Sequence, residues 1–142
     1  MFVEQSKAVV RRFFEEVFNQ KQPELLEELL ADSVVDPNQI IFTELDAPGG
    51  IADGVRMLLI AFPDLKVTVK HQVEEDDYVS VHLTMAGTNT GAYPRVPKPT
   101  GRHTEWESML LFRMEGGKIA ELWGTSDQMG MLTKLGILPE IG

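Results

Sequence analysis

The residues best suited to acid–base chemistry are one aspartate near the end of the sequence and one histidine in its middle. Asp127 follows Trp123 and precedes Met129 and Met131, so the sequence places it among apolar side chains. Burial in such a setting raises the pKa of a carboxyl group, which lets one group accept and then return a proton near neutral pH. A structural role stays open, since Asp127 also stands directly before a predicted helix, where aspartate caps the first turn.

His82 is the second catalytic candidate. It shares a predicted strand face with Ser80 and Thr84, opposite Val81. Imidazole exchanges protons near neutral pH, so His82 could orient Asp127 or donate to a substrate oxygen. The alternative is a histidine on the solvent face of a strand.

The other two histidines lie far from these positions. His71 follows the alternation of Val67 and Val69, which predicts a core or interface residue, and His103 beside Arg102 is expected in an exposed loop. Scattered histidines without carboxylates at ligand spacing predict no metal site. The absence of cysteine from the sequence excludes disulfides and thiolate chemistry.

Three aromatic residues are candidates for ligand contact. Trp106 and Trp123 are expected to line either a cavity or a subunit interface, with ordinary core packing as the alternative. Tyr93 lies among glycine and prolines on a long predicted loop. We expect this loop to overhang the mouth of a cavity, and simple loop packing is the alternative.

Composition bounds the class of protein. A chain of 142 residues is predicted to form a single domain, 1–142. With 13 basic and 22 acidic residues and a net charge of −9, nucleic acid is not an expected partner. The sequence has no apolar run that could span a bilayer and no predicted signal peptide, so we expect a cytoplasmic protein without membrane contact.

Periodicity predicts three helices followed by hairpin-linked strands. Helices are predicted over about 4–19, 23–31 and from 51 to the proline at 63, with short strands at 34–35 and 40–42 between them. The period then changes to two, and turns at 75–77 and 115–118 separate long strands. A helix at about 128–135 follows. This order predicts an α+β fold in which helices cover one face of a curved, mostly antiparallel sheet and enclose a conical cavity.

Five segments in order carry a resemblance to a known family. They are RFFEEVFN at 12–19, AFPDL at 61–65, GTNTG at 87–91, PTGR at 99–102 and GGKIAELW at 116–123, with Asp127 following. Over nearly its whole length the sequence resembles the SnoaL-like polyketide cyclases, within the nuclear transport factor 2-like superfamily.

The resemblance implies a six-stranded cone, the cystatin-like α+β roll, assembled as a homodimer or higher homo-oligomer. It also implies ring closure in a polyketide by intramolecular aldol condensation, without a metal or an organic cofactor. The general acid/base of the family is an aspartate just after the last strand, which matches Asp127. Histidines and asparagines around the pocket assist it.

The sequence departs from the family pattern at four pocket positions. Asn38 stands in the turn where members often carry a histidine, and Asn89 replaces the histidine of Gly-Thr-His-Thr-Gly. His82 matches a common arginine, and Leu122 matches a common histidine. Asn38 and Asn89 are therefore predicted ligand contacts.

Three functions remain possible on the sequence. The first is proton transfer next to a carbonyl in a small hydrophobic molecule, as a cyclase or isomerase. The second is a non-catalytic domain that binds such a molecule, and the third is a structural role through oligomerisation. An epoxide-hydrolase variant needs an Asp–Arg–Asp group, which Arg113, the only clear arginine on a predicted strand, does not supply.

Overall fold

The first predicted helix is present and changes its winding halfway along. The computed structural model describes residues 3–35, 51–92 and 98–139. Helix α1 spans Val3–Arg12 and continues as a π-helix over Phe13–Asn19. Four apolar side chains of the π-helical segment are buried in the core, namely Phe13, Phe14, Val17 and Phe18.

The second helix ends earlier than the pattern at 23–31 predicts. A 3₁₀ turn at Pro23–Leu25 leads into helix α2 at Leu26–Leu29. Strand β1, Leu30–Val35, then begins because Leu30 pairs with Ile119 of the sheet. Residues 34–35 are therefore in a strand as predicted, whereas the predicted strand at 40–42 lies outside the described residues.

Helix α3 and four long strands complete the frame. Helix α3 is Ile51–Ala61 and ends two residues before Pro63. The strands are β2, Lys66–Glu75; β3, Tyr78–Thr88; β4, His103–Glu115; and β5, Lys118–Ser126. Helix α4, Gln128–Lys134, ends near Gly136, whose φ is +81°.

The described strands form one open sheet in the order β1-β5-β4-β3-β2. All neighbours are antiparallel except β1 and β5. The predicted α+β class is confirmed. The described residues contain five strands rather than the six that the resemblance implies.

The two faces of the sheet differ sharply. Side chains alternate along β4, where Trp106, Leu110 and Phe112 are buried and Glu105, Glu107 and Met109 are exposed. The rings of Phe13 and Phe14 pack on Phe112 at 5.6 and 5.7 Å, which seals the helices against the inner face. The outer face, which carries the exposed residues, is called the open face below. No helix of the described residues is long and apolar enough to cross a membrane.

A register shift in β2 corrects the expectation that His71 lies in the core. Val69 pairs with Leu83 but His71 pairs with His82, so one residue is skipped between them. The bulge reverses the alternation, and His71 becomes exposed on the open face instead of following Val67 and Val69 inward.

Candidate functional site

Asp127 is placed at the junction of β5 and α4, where it caps the helix. Its backbone N–H donates to the Glu107 carbonyl at 2.9 Å, which extends the β4–β5 pairing by one residue. Its Oδ1 accepts a hydrogen bond from the Gly130 N–H at 2.9 Å. Among the residues that the structure describes, Oδ2 has no hydrogen-bond partner. The side chain is exposed, so the apolar setting that the sequence suggested is not found here.

Two adjoining concavities meet at Asp127. The larger, called the charged hollow, has a volume of about 430 Å³ and is lined by Lys70, Thr84, Glu105, Trp106, Glu107, Asp127 and Lys134. The smaller, called the histidine hollow, has a volume of about 320 Å³ and is lined by His82, Glu107, Ser108, Met109, Thr125, Ser126 and Asp127. The structure thus brings the two predicted catalytic residues, Asp127 and His82, to one concave surface.

His82 lies on the open face, as its alternation with Val81 predicts. Its Nε2 is 2.8 Å from Oε1 of Glu107, and 27 % of the side chain is exposed. A carboxylate at that distance favours the tautomer with the proton on Nε2. The Nδ1 lone pair of His82 is then left to face His71.

His71 and His82 form a cross-strand pair. Their Nδ1 atoms are 3.2 Å apart, and their rings are nearly parallel, with an interplanar angle of 7° and centroids 5.4 Å apart. The bulge in β2 creates this pair, since a regular strand would turn His71 to the other face.

The two tryptophans are separated by the sheet. Trp106 is 4 % exposed on the inner face, with its ring 5.4 Å from Phe62, so it packs in the core and borders the charged hollow. Trp123 lies on the open face, with its ring 6.4 Å from Tyr78. There it lines a third concavity of about 660 Å³, called the apolar hollow, together with Val73, Glu75, Tyr78, Ser80 and Leu111.

Asn89 is fully buried and bonded within the protein. Its Nδ2 donates to the carbonyls of Ala61 and Gly91 at 3.3 and 2.8 Å. Its Oδ1 accepts from the N–H and the hydroxyl of Thr100 at 2.8 and 3.1 Å. These bonds tie the loop after β3 to the end of α3, and Asn89 is not among the residues that line the two hollows at Asp127. The other two predicted ligand contacts, Tyr93 and Asn38, lie outside the described residues.

Sequence reasoning did not identify the charged neighbours of Asp127. Lys70 and Lys134 line the charged hollow with it, and Glu107 contacts His82. Glu107 is exposed on the open face, in keeping with the alternation of β4. Its place beside His82 depends on the pairing of Thr84 with Glu107, and a long loop between β3 and β4 hides that register from the sequence.

No cluster of three or more metal-ligating side chains occurs in the described part of the chain. A carboxylate with one anchored and one open oxygen can exchange a proton, and neighbouring ammonium groups can stabilise negative charge.

Comparisons with known proteins agree with this architecture. The model of the SnoaL-like polyketide cyclases matches residues 8–135. IdmH of Streptomyces antibioticus, a candidate polyketide cyclase, is 30 % identical with a TM-score of 0.78, over 93 % of this chain and 99 % of that one. A comparison with curated proteins finds no match.

Two further structures are similar in fold. AclR of Streptomyces galilaeus, a candidate hydroxylase, has a TM-score of 0.82 at 22 % identity, over 99 % of this chain and 86 % of that one. TsrD of Streptomyces laurentii has a TM-score of 0.82 at 23 % identity, over 95 % of this chain and 97 % of that one. With a family model that matches nearly the whole chain, this protein belongs to the SnoaL-like polyketide cyclase family.

Proposed function

We propose that this protein binds a small hydrophobic carbonyl compound and catalyses proton transfer at the carbon next to the carbonyl, as a cyclase or isomerase. It would do so with its own side chains, without a metal or an organic cofactor. The observation that carries the proposal is the meeting of Asp127 and His82 on one concave surface, where Oδ2 of Asp127 has no hydrogen-bond partner among the described residues.

Asp127 is the proposed general acid/base. Oδ2 takes a proton from the carbon, the resulting enolate forms a carbon–carbon bond to a second carbonyl, and the alkoxide takes the proton back from Oδ2. The Gly130 N–H holds the other oxygen in place throughout. Lys70 and Lys134, in the same hollow, would stabilise the negative charge that develops on oxygen.

His82 has a supporting role in this proposal. Glu107 fixes its ring, so the imidazole presents a defined edge beside Asp127 in the histidine hollow. From that position it would orient the carboxylate or donate to a substrate oxygen.

Deuterium incorporation tests the reaction before the natural substrate is known. We would incubate 4-phenyl-2-butanone with the protein in D₂O and follow loss of the α-proton signals by NMR. Asp127→Asn keeps a capping side chain but no longer acts as a base, so we expect the catalysed rate to fall about a hundredfold. The matched control is Glu105→Gln, which also neutralises a carboxylate of the charged hollow. An Asp127→Asn rate equal to that of the unchanged protein would contradict the proposal.

A non-catalytic binding domain is the second candidate. The observation that favours it is the apolar hollow, in which Trp123, Tyr78 and Leu111 offer a surface for a flat hydrophobic molecule. The fluorescent probe 1-anilinonaphthalene-8-sulfonate tests this directly. Binding that is lost in Trp123→Ala, with no α-proton exchange by the unchanged protein, would favour this candidate over the enzyme.

We further propose that a second copy of the chain covers the apolar half of the open face. Val73 is 65 % exposed there, next to Tyr78 and Trp123. Apolar surface of this kind marks an interaction site, and the net charge of −9 disfavours a nucleic acid or an anionic membrane in that place. Sedimentation equilibrium should show a homodimer that Val73→Lys dissociates. A monomer at every concentration would contradict this assembly.

A further inference from the structure

We propose that the paired imidazoles of His71 and His82 form a bidentate site for a divalent transition-metal ion on the open face. The proposal does not depend on the catalytic role of Asp127. It starts from the separation of 3.2 Å between the two Nδ1 atoms. Two imidazole nitrogens bound to one tetrahedral zinc at about 2.0–2.1 Å lie about 3.3–3.4 Å apart, so the pair already has the spacing of two ligands on one ion.

The hydrogen bonds of the pair leave one nitrogen ready to bind an ion. Glu107 accepts at Nε2 of His82, which places a lone pair on Nδ1 of that ring. The separation of 3.2 Å is that of an N–H···N bond, in which Nδ1–H of His71 donates to Nδ1 of His82. A metal ion that replaces this proton would have two Nδ1 lone pairs within reach. A change in χ2, which is a soft torsion for histidine, turns both lone pairs toward the ion.

Glu107 supplies the outer contact that metal-bound histidines usually have. A carboxylate that accepts from the other ring nitrogen fixes the tautomer and raises the basicity of the ligand. Glu107 and Asp127 also place negative charge along the histidine hollow, which favours a cation there. The nearest cation in the sequence is Lys70, whose side chain lines the charged hollow.

The ion would have two protein ligands from the described residues, because no third ligating side chain joins the cluster there. Its remaining positions are left to water or to an oxygen of a small ligand. Imidazole nitrogen suits Zn²⁺, Ni²⁺ and Cu²⁺ and disfavours Mg²⁺ and Ca²⁺, so we assign the site to the first group.

Imidazole NMR with Zn²⁺ alone tests the site, because the chain has only three histidines. We expect the ring signals of His71 and His82 to shift together along one binding curve, while those of His103 stay in place. His103 is a matched control, since it is exposed on the same sheet and, among the described residues, its Nδ1 lies 3.4 Å from the Thr88 hydroxyl rather than beside another imidazole. Parallel shifts of all three rings, or no shift at millimolar Zn²⁺, would overturn the proposal.

Variants separate chelation from loose binding. By calorimetry, His71→Ala and His82→Ala should each weaken Zn²⁺ binding more than Glu107→Gln, which removes only the outer charge and should cost about tenfold. His103→Ala should bind as the unchanged protein does. Equal affinity in His71→Ala and in the unchanged protein would show that the pair does not chelate the ion. Because the readout is metal binding, its failure leaves the deuterium-exchange result for Asp127 unaffected.

Discussion

The carboxylate of Asp127 and the amide of Gly130 are joined so closely that a Cβ on Gly130 would collide with Oδ2. The lack of a side chain at position 130 therefore allows the carboxylate of the proposed base to lie where it does. A glycine here costs helix stability but leaves room for the open carboxylate oxygen.

The first prediction concerns this cap. Asp127→Ala should lower the free energy of unfolding by about 1 kcal/mol because the Gly130 N–H loses its acceptor, whereas Asp127→Asn should be nearly neutral. Gly130→Ala should fail to give the gain of about 1 kcal/mol that is usual for this change in a helix, since the new methyl group displaces the carboxylate. Urea unfolding measures all three. A Gly130→Ala protein that gains the full amount would show that the carboxylate is not held at the cap.

The fold was predictable because apolar residues recur with one spacing in its helices and with another in its strands. The spacing of Phe13, Phe14, Val17 and Phe18 indicated a helix, and the strict alternation of β3 and β4 indicated strands. The end of α2 was not predictable from local pattern. Leu30 continues the leucine stripe of that helix, yet pairing with Ile119 draws its backbone into the sheet.

The second prediction separates a structural from a ligand-binding role for Asn89. Asn89→Ala should lower the free energy of unfolding by about 3 kcal/mol, because it removes four bonds and leaves the buried loop groups that paired with it unsatisfied. Thr90→Ala, at the exposed neighbour, should change it by less than about 0.5 kcal/mol. Chemical denaturation compares the two. An Asn89→Ala protein of unchanged stability would return Asn89 to the list of ligand contacts.

The candidate site was predictable in part. The residue types of Asp127 and His82 and their places after β5 and within β3 could be inferred from sequence, whereas their common neighbour Glu107 could not. The pairing of β3 with β4 across a long loop decides that arrangement, and the bulge after Val69 separately turns His71 outward beside His82. Neither is encoded in local periodicity, because a shift by one residue exchanges the faces of a strand without changing its pattern.

The third prediction concerns the edge strand β2. Asn19 Nδ2 donates to the Val67 carbonyl at 2.8 Å, and its Oδ1 accepts from the Val67 N–H at 2.7 Å. The amide therefore pairs with the strand as a neighbouring strand would. Asn19→Ala should lower the free energy of unfolding by about 2 kcal/mol and speed aggregation on warming, because it frees both groups at a sheet edge.

The control for Asn19 is its exposed neighbour Gln20. Gln20→Ala leaves the pairing with Val67 intact and should behave as the unchanged protein does in the same thermal scans with light scattering. Asn19→Asp should aggregate faster on warming than the unchanged protein. It keeps the acceptor for the Val67 N–H but sets a carboxylate oxygen against the Val67 carbonyl. Equal aggregation of Asn19→Ala and Gln20→Ala would contradict the role in edge protection.

The last prediction is a pH dependence that originates at Asp64. The Thr88 N–H donates to its Oδ1 at 2.7 Å, and this bond, aided by the charge of His103, lowers the pKa of the Asp64 carboxyl below its ordinary value. A carboxyl group whose pKa is lowered by folding stabilises the folded state fully above its unfolded pKa. That stabilisation is lost as the pH falls through the folded pKa. The free energy of unfolding should therefore decrease on acidification below about pH 4.

In Asp64→Asn this decrease should be smaller, and the free energy of unfolding at pH 7 should be lower. The control Asp32→Asn, at an exposed carboxylate of β1, should keep the full decrease. Urea unfolding from pH 7 to pH 3 measures both, and identical slopes for Asp64→Asn and the unchanged protein would show that the Thr88 bond does not contribute to acid sensitivity.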